Sequence, residues 1–177
     1  MTLKEADQIT LGEQEGVLRE GLLNSRVMVF SCAAYRSMCD ELYEQFQSGA
    51  SVILYRMGKG YARKLVAVTP KFGSTGESAI DGFIRLARLS GWGDIHCKIS
   101  NETSVDCIVH HSPFVLRRPD IGRTSCYFLS GVLATVASHI YAKKFEAQEI
   151  ECETHGTSYC RFKVFQASDQ ATPSHVV

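Results

Sequence analysis

The sequence predicts an α+β fold, with an antiparallel sheet packed against several helices. Three observations carry this. Apolar residues recur at helical spacing between residues 35 and 87 and again from 129 to 140. Between 95 and 109 the period changes to two, as in a half-buried hairpin. A second alternation, Cys160-Arg161-Phe162-Lys163-Val164, closes the pattern.

Taken in order, residues 1–24 form a polar arm with little periodicity. Val27-Met28-Val29-Phe30 is a short apolar run of strand character. From Tyr35, apolar side chains at 35, 38, 39, 42 and 46 make a helical stripe, and Gly49 is placed to end that helix. A second stripe runs through Ala50, Ile53, Leu54, Met57, Tyr61 and Leu65, with Pro70 marking its end. It contains Gly58 and Gly60, each costing roughly 1 kcal/mol against alanine in a helix interior. Such a helix needs a bend or the close approach of another backbone.

Ser74-Thr75-Gly76-Glu77 has capping-box spacing and opens a third helix. Ile80, Phe83, Ile84 and Ala87 form its face, and Gly91 and Gly93 stop it. Ile95, Cys97 and Ile99, then Val105, Cys107 and Val109, form the two inward rows of an antiparallel hairpin about the turn at 101–103. Pro113 and Pro119 bound a loop. The longest helix is expected from near Gly122 to Lys144, with Leu129, Val132, Leu133, Val136 and Ile140 on one face. Its other face, with Gly131, Ala134, Ser138 and Tyr141, is made mostly of small residues. That face suits either a cavity or direct packing on the Gly58–Gly60 segment. Final strands are expected at 147–152 and 159–165.

The length of 177 residues fits one domain, 25–166, with the arm 1–24 before it and a Ser-, Gln-, Thr- and Pro-rich tail, 167–177, read as disordered. Hydrophobic residues make up 45% and charged residues 21%, ordinary for a globular chain. Lys plus Arg equals Asp plus Glu, at 19 each. No global field draws the protein to nucleic acid, so no direct nucleic-acid partner is expected. The polar N-terminus has neither a signal-peptide core nor a membrane span, which makes the cytoplasm the default location. Seven cysteines, an odd number without a secretion signal, argue against a disulfide framework. Cys32, Cys39, Cys97 and Cys107 fall on apolar phases and are expected to be buried thiols.

Cys152 and Cys160 flank Glu153-Thr154-His155-Gly156-Thr157-Ser158-Tyr159, a C-x3-G-x3-C pattern with glycine at its tip. A tight hairpin there brings two thiols together, and paired thiolates on a rigid turn are natural zinc ligands. Two further donors are needed. Cys126, near the start of the long helix, and Glu149 are candidates; Glu151 and His155 are rivals for the fourth place. Residues 149 and 152 would point to opposite faces of a regular strand, so the site requires a bend or a strand end near Ile150 or Glu151. The bland alternative is two buried thiols packed across a hairpin.

Cys126, then Glu149-x2-Cys152-x3-Gly156-x3-Cys160, resembles the 4-vinyl reductase domain family. The likeness is strongest over 120–165 and reaches loosely back to Tyr55-Arg56-Met57-Gly58. That family includes the sensory domains of phenol- and xylene-responsive activators, an accessory protein of bacteriochlorophyll synthesis and standalone archaeal proteins. The resemblance implies the ligand-binding fold shared by nitric-oxide-signalling and Golgi-transport proteins, akin to trafficking-particle subunits that hold an acyl chain. It also implies zinc on Cys126, Glu149, Cys152 and Cys160, favouring Glu149 over its rivals; four protein ligands mark a closed, structural site. It implies dimerisation through the N-terminal segment. The histidine and tryptophan of the phenol sensors' pocket have no match in spacing here, since the sole tryptophan is Trp92. That departure puts phenol itself in doubt.

The reading that results is a module binding a small hydrophobic or aromatic ligand, with Tyr55, Phe83, Tyr127, Phe128 and Tyr141 as candidate lining residues. Its alternatives are an accessory or reductase component acting on a tetrapyrrole, and an acyl-binding scaffold subunit. No catalytic set assembles, so an enzyme is the less favoured class. Gly58-Lys59-Gly60 lacks the rest of a phosphate loop, and Ser130, His139 and Asp120 lack a nucleophile motif. No dinucleotide fingerprint is present. His110-His111 reads as a solvent-facing pair before it reads as a ligand.

Overall fold

The computed structural model describes residues 9–11, 17–20, 26–68, 76–101, 103–117 and 124–167. Three short strands, β1 (Ile9–Leu11), β2 (Leu18–Glu20) and β3 (Arg26–Val27), form a small antiparallel sheet. Helices α1 (Cys32–Phe46), α2 (Gly49–Val68) and α3 (Gly76–Leu89) follow. Then come the hairpin β4 (Asp94–Asn101) and β5 (Ser104–His110), helix α4 (Tyr127–Tyr141), and the strands β6 (Phe145–Glu151) and β7 (Cys160–Gln166). The main sheet has the order β4-β5-β7-β6 and is antiparallel throughout. The α+β class read from the sequence holds.

The core lies between this sheet and the helices. Val105, Cys107 and Val109 of β5 and Cys160, Phe162 and Val164 of β7 point into it from one face, as alternation predicts. Helix α4 sits on that face and is buried on nearly every side, from Leu129 to Ala134 and again at Val136 and Ala137. Its small face packs directly on α2. A Cβ on Gly131 would lie 2.0 Å from the Tyr55 carbonyl oxygen, and one on Gly58 would lie 2.0 Å from that of Phe128. Only glycine permits backbones so close. The close-packing reading of Gly58 and Gly131 is therefore what the structure shows. Tyr55 and Lys59 then bind Glu146 of β6 by a short hydrogen bond and a 3.3 Å ion pair, tying α2 to the sheet.

Several local expectations need correction. Gly49 does not end α1; the chain turns at Gln47 (φ 47°) and Gly49 opens α2. Ser31, whose Oγ accepts from the Ala34 N–H at 3.1 Å, is the cap that starts α1. Only Val27 of the run 27–30 lies in a strand; Met28, Val29 and Phe30 are exposed and irregular. Helix α4 opens at Tyr127 rather than near Gly122 and closes at Tyr141, because the amides of Ser125 and Cys126 are spent on Glu149. Cys32 is exposed, not buried. Cys97 and Cys107, opposite one another in the β4–β5 ladder with 4.1 Å between Cα atoms, are joined as a disulfide rather than left as thiols. Ser74, Pro70, Pro119, Gly122 and the tail 168–177 lie outside the described residues.

Candidate metal centre

Three elements converge at the N-terminal end of α4. The first is Cys126 itself, which caps that helix without a side-chain hydrogen bond of the usual capping kind. The second is the end of β6. Glu149 faces Phe162 and Glu151 faces Arg161, so Ile150 is an extra residue in the ladder and half exposed. This bulge cancels the odd spacing and lets Glu149 and Cys152 reach the same face. The third is the turn after Cys152, a single 3-10 turn (Glu153–His155) closed by Gly156 at φ 89°. That left-handed conformation costs other residues steric strain, and it delivers Cys160 beside Cys152.

Cys126, Glu149, Cys152 and Cys160 are 0%, 5%, 1% and 0% exposed. One ligand atom from each lies within 4.8 Å of all the others, and this is the one such group among the described residues. Cys126 Sγ is 3.7 Å from Cys160 Sγ, which is 3.8 Å from Cys152 Sγ. A tetrahedron with metal–sulfur bonds of about 2.3 Å has an edge of about 3.8 Å. Glu149 Oε2 accepts from the amides of Ser125 and Cys126, at 2.8 and 2.9 Å. Its Oε1 is buried with no hydrogen-bond partner, a costly state that a cation would relieve. The residues therefore fit a metal ion.

Charge is crowded here. Burial, with the Cys152 sulfur close by, pushes the Glu149 carboxyl up to about 7. Burial likewise holds the Cys126 thiol well above its ordinary range, while hydrogen bonds from Cys126 and Cys160 draw Cys152 toward the thiolate. Of the rival ligands, Glu151 pairs instead with Arg161 at 3.4 Å.

The five aromatic residues read as pocket-lining are not brought together. Phe83 and Tyr141 line one apolar cavity, of ≈ 20 Å³, between α3, the β4–β5 hairpin and the second half of α4. Ile80, Val105, Leu133 and Val136 complete most of its wall, and the Cys97–Cys107 disulfide lies in it. Tyr55 is engaged with Glu146. Tyr127 packs against a separate cluster of Cys39, Tyr43, Ala50, Leu54 and Leu116. Phe128 stacks on Phe114 at 5.3 Å, in a group of rings with Tyr35, Tyr61 and Trp92. His96 and His110 are surface side chains, on Asp94 and on the Ser158 carbonyl. The disulfide was within reach of the sequence: a turn centred near 102 sets Cys97 against Cys107.

Residues 105–166 match a known family model. It is that of the 4-vinyl reductase domain. The matched stretch takes in β5, α4, β6, β7 and all four candidate ligands. It bears out the likeness to 4-vinyl reductase domains drawn from the cysteine spacing. An uncharacterized protein of Methanocaldococcus jannaschii is 25% identical over 121 residues, covering 66% of this chain; the chain spans 65% of that relative's length. The phenol-responsive sensory domain of the transcription activator PoxR, solved with phenol, superposes with a TM-score of 0.73 at 18% identity, over 91% of this chain and 86% of that one. An H-NOX protein from S. oneidensis gives 0.59 at 10% identity, over 81% and 80%. A trafficking protein particle complex subunit 3 from Naegleria fowleri, covalently bound to palmitic acid, gives 0.54 at 11%, over 77% and 93%. At these identities the structures speak to fold, and they confirm the fold class the resemblance implied.

Proposed function

We propose that this chain is a sensor-type module binding a small apolar or aromatic molecule, built around a structural zinc centre on Cys126, Glu149, Cys152 and Cys160. The observation that carries the binding reading is the apolar cavity between α3, the hairpin and α4, to which Phe83 and Tyr141 contribute. PoxR's sensory domain, solved with phenol, shares the fold. For the metal, three sulfur donors favour a soft or borderline ion, and four protein donors complete a tetrahedron with no place left for substrate. Bound there, zinc would cross-link the start of α4 to the β6–β7 turn.

The cavity is ≈ 20 Å³, enough for about one water, whereas roughly 150 Å³ admits a benzene ring. Ligand entry therefore requires the cavity to open. The test is a melting panel on the zinc-loaded protein with an alkylphenol, palmitate and a porphyrin, run on the wild type and on Phe83→Ala. One ligand class should stabilise the wild type, by about 2.7 kcal/mol at a hundredfold excess over its Kd. Phe83→Ala, which removes wall volume, should bind a phenol-sized ligand more tightly. A porphyrin acting alone would replace this reading with the tetrapyrrole accessory, and an inseparable acyl chain with the scaffold. No response in either protein to any of the three would refute ligand binding.

A further inference from the structure

Donor atoms at the right distances do not fix a tetrahedron unless the directions of their lone pairs are held too. Ser125, the residue before Cys126, is 2% exposed and touches two of the four ligands. Its N–H donates to Glu149 Oε2 at 2.8 Å. Its Oγ lies 3.3 Å from Cys152 Sγ. The same Oγ accepts from the Leu116 N–H at 3.1 Å. A serine hydroxyl has one hydrogen and two lone pairs. Since the Leu116 amide occupies a lone pair, the hydrogen remains free to point at the sulfur.

We propose that Ser125 is a positioning residue of the metal centre: its hydroxyl donates to the Cys152 thiolate, its amide turns the Glu149 carboxylate, and its bond from Leu116 ties the centre to the loop at 111–117. The proposal rests on the zinc reading above.

Each part has a consequence in the geometry. With Oε2 held by the amides of Ser125 and Cys126, only Oε1 is left to face the three sulfurs. Cys152 Sγ also has Thr154 Oγ1 at 2.8 Å, so two hydroxyls flank the one sulfur drawn toward the thiolate. A hydrogen bond to a thiolate withdraws charge from it and fixes the direction of its remaining lone pairs. The loop is fastened to the same centre a second time. Ser112 accepts the Cys126 thiol or donates to it at 3.7 Å, and its N–H donates to Glu153 Oε1 at 3.3 Å. Between these two anchors stand Phe114, which stacks on Phe128, and Leu116, which packs into the cluster with Cys39, Tyr43, Ala50 and Leu54. Ser125 thus joins the metal centre to packing against α1 and α2.

The test uses the full chain loaded with Co²⁺, whose sulfur-to-metal charge-transfer bands report thiolate donation, and competition with a chelator for Zn²⁺. Ser125→Ala should shift those bands to lower energy and weaken zinc binding 10–100-fold. Ser125→Thr keeps the hydroxyl and should restore both. Unchanged bands and affinity in Ser125→Ala, with the wild type binding both metals, would overturn the role of Ser125 and leave the zinc reading intact. A wild type that binds neither metal overturns the zinc reading and this one with it. A purely structural serine would lower stability without moving the bands. Should Ser125→Ala not fold, amide exchange in the wild type decides. The Leu116 and Ser125 amides should gain at least tenfold protection on zinc loading, and no gain refutes the proposal.

Discussion

Replacing Gly131 by alanine separates two outcomes of opposite sign. In an exposed helix interior, Gly→Ala stabilises by about 1 kcal/mol, because alanine loses less backbone freedom on folding. In this structure the added Cβ would stand 2.0 Å from the Tyr55 oxygen and 3.0 Å from the Lys59 nitrogen, both backbone atoms. Carbon and carbonyl oxygen approach to about 3.3 Å at closest. Helices α2 and α4 must then part by roughly 1.3 Å along their contact. A gap of 0.5–1 Å already forfeits a quarter to a half of each dispersion contact it opens. Overpacking of this kind costs about 1–3 kcal/mol, and a backbone clash belongs at the upper end, so a net loss near 3 kcal/mol is expected. Gly58→Ala should behave alike, since its Cβ would meet the Phe128 oxygen at the same distance. Gly60 is the control within the same helix: its Cβ would touch only the Arg63 side chain at 3.8 Å, and Gly60→Ala should stabilise by about 0.5–1 kcal/mol. Because the first alanine already parts the helices, Gly58→Ala with Gly131→Ala should cost less than the sum. Urea unfolding of the four variants measures all of this. Gly131→Ala that is neutral or stabilising would refute the close approach.

Elemental analysis of protein purified without added metal should give close to one zinc per chain, and Cys152→Ser should lose the metal and about 3–5 kcal/mol, or roughly 6–20 °C in Tm; a metal-free wild type that melts unchanged after chelator treatment would count against the site. The Glu149 carboxyl, raised to about 7 by burial and by Cys152, keeps its proton below that pH in the metal-free protein, so zinc must displace it there. Apparent zinc affinity should therefore fall as pH drops through 7, by about tenfold per unit for each proton released; an affinity flat from pH 7.5 to 5.5 would contradict this. Reducing Cys97–Cys107, a link across a sequence separation of 10, should cost about 3 kcal/mol by the chain-entropy relation and loosen the cavity wall; a Tm unchanged by a dithiol would refute it.

The hairpin was legible because Ile95, Cys97 and Ile99 alternate without interruption, and the register followed from its short turn. The four-residue centre was legible because its spacing is a property of sequence, and even the bulge at Ile150 followed from the parity of 149 and 152. What local patterns did not yield is which element a residue faces once the chain packs. Gly49 looks the same in sequence whether it ends a helix or opens one; the turn at Gln47 decides. The start of α4 was placed too early because the amides of Ser125 and Cys126 were assigned to the helix, when a carboxylate 23 and 24 residues away accepts them. Tyr127 and Phe128 were assigned to a pocket because small residues follow them. Those small residues admit α2, and the void lies instead on the larger-residue side, at Leu133, Val136 and Ile140.

That placement constrains how the cavity can open. Helix α4 forms one wall, yet it is held on both flanks. On one side its backbone touches α2 at Gly131 and Gly58. On the other, Ser138 Oγ accepts from the Phe145 N–H at 2.9 Å and donates to the Ala134 carbonyl at 2.7 Å. Its N-terminal end carries Cys126 of the metal centre. The sheet wall is fixed by the ladders of β5 with β4 and β7. The remaining wall is α3, whose Ile80 and Phe83 face the void near its start. Its polar ties to the sheet lie at its far end, where Arg88 reaches the Ile95 carbonyl at 2.7 Å and Asp94 at 2.8 Å, and the ion pair is substantially exposed. Exposed pairs of this kind hold by about 1 kcal/mol or less. A ligand gains its room most cheaply by tilting the Ile80–Phe83 end of α3 away from α4 about the Arg88 end, leaving the metal centre and the α2–α4 contact undisturbed.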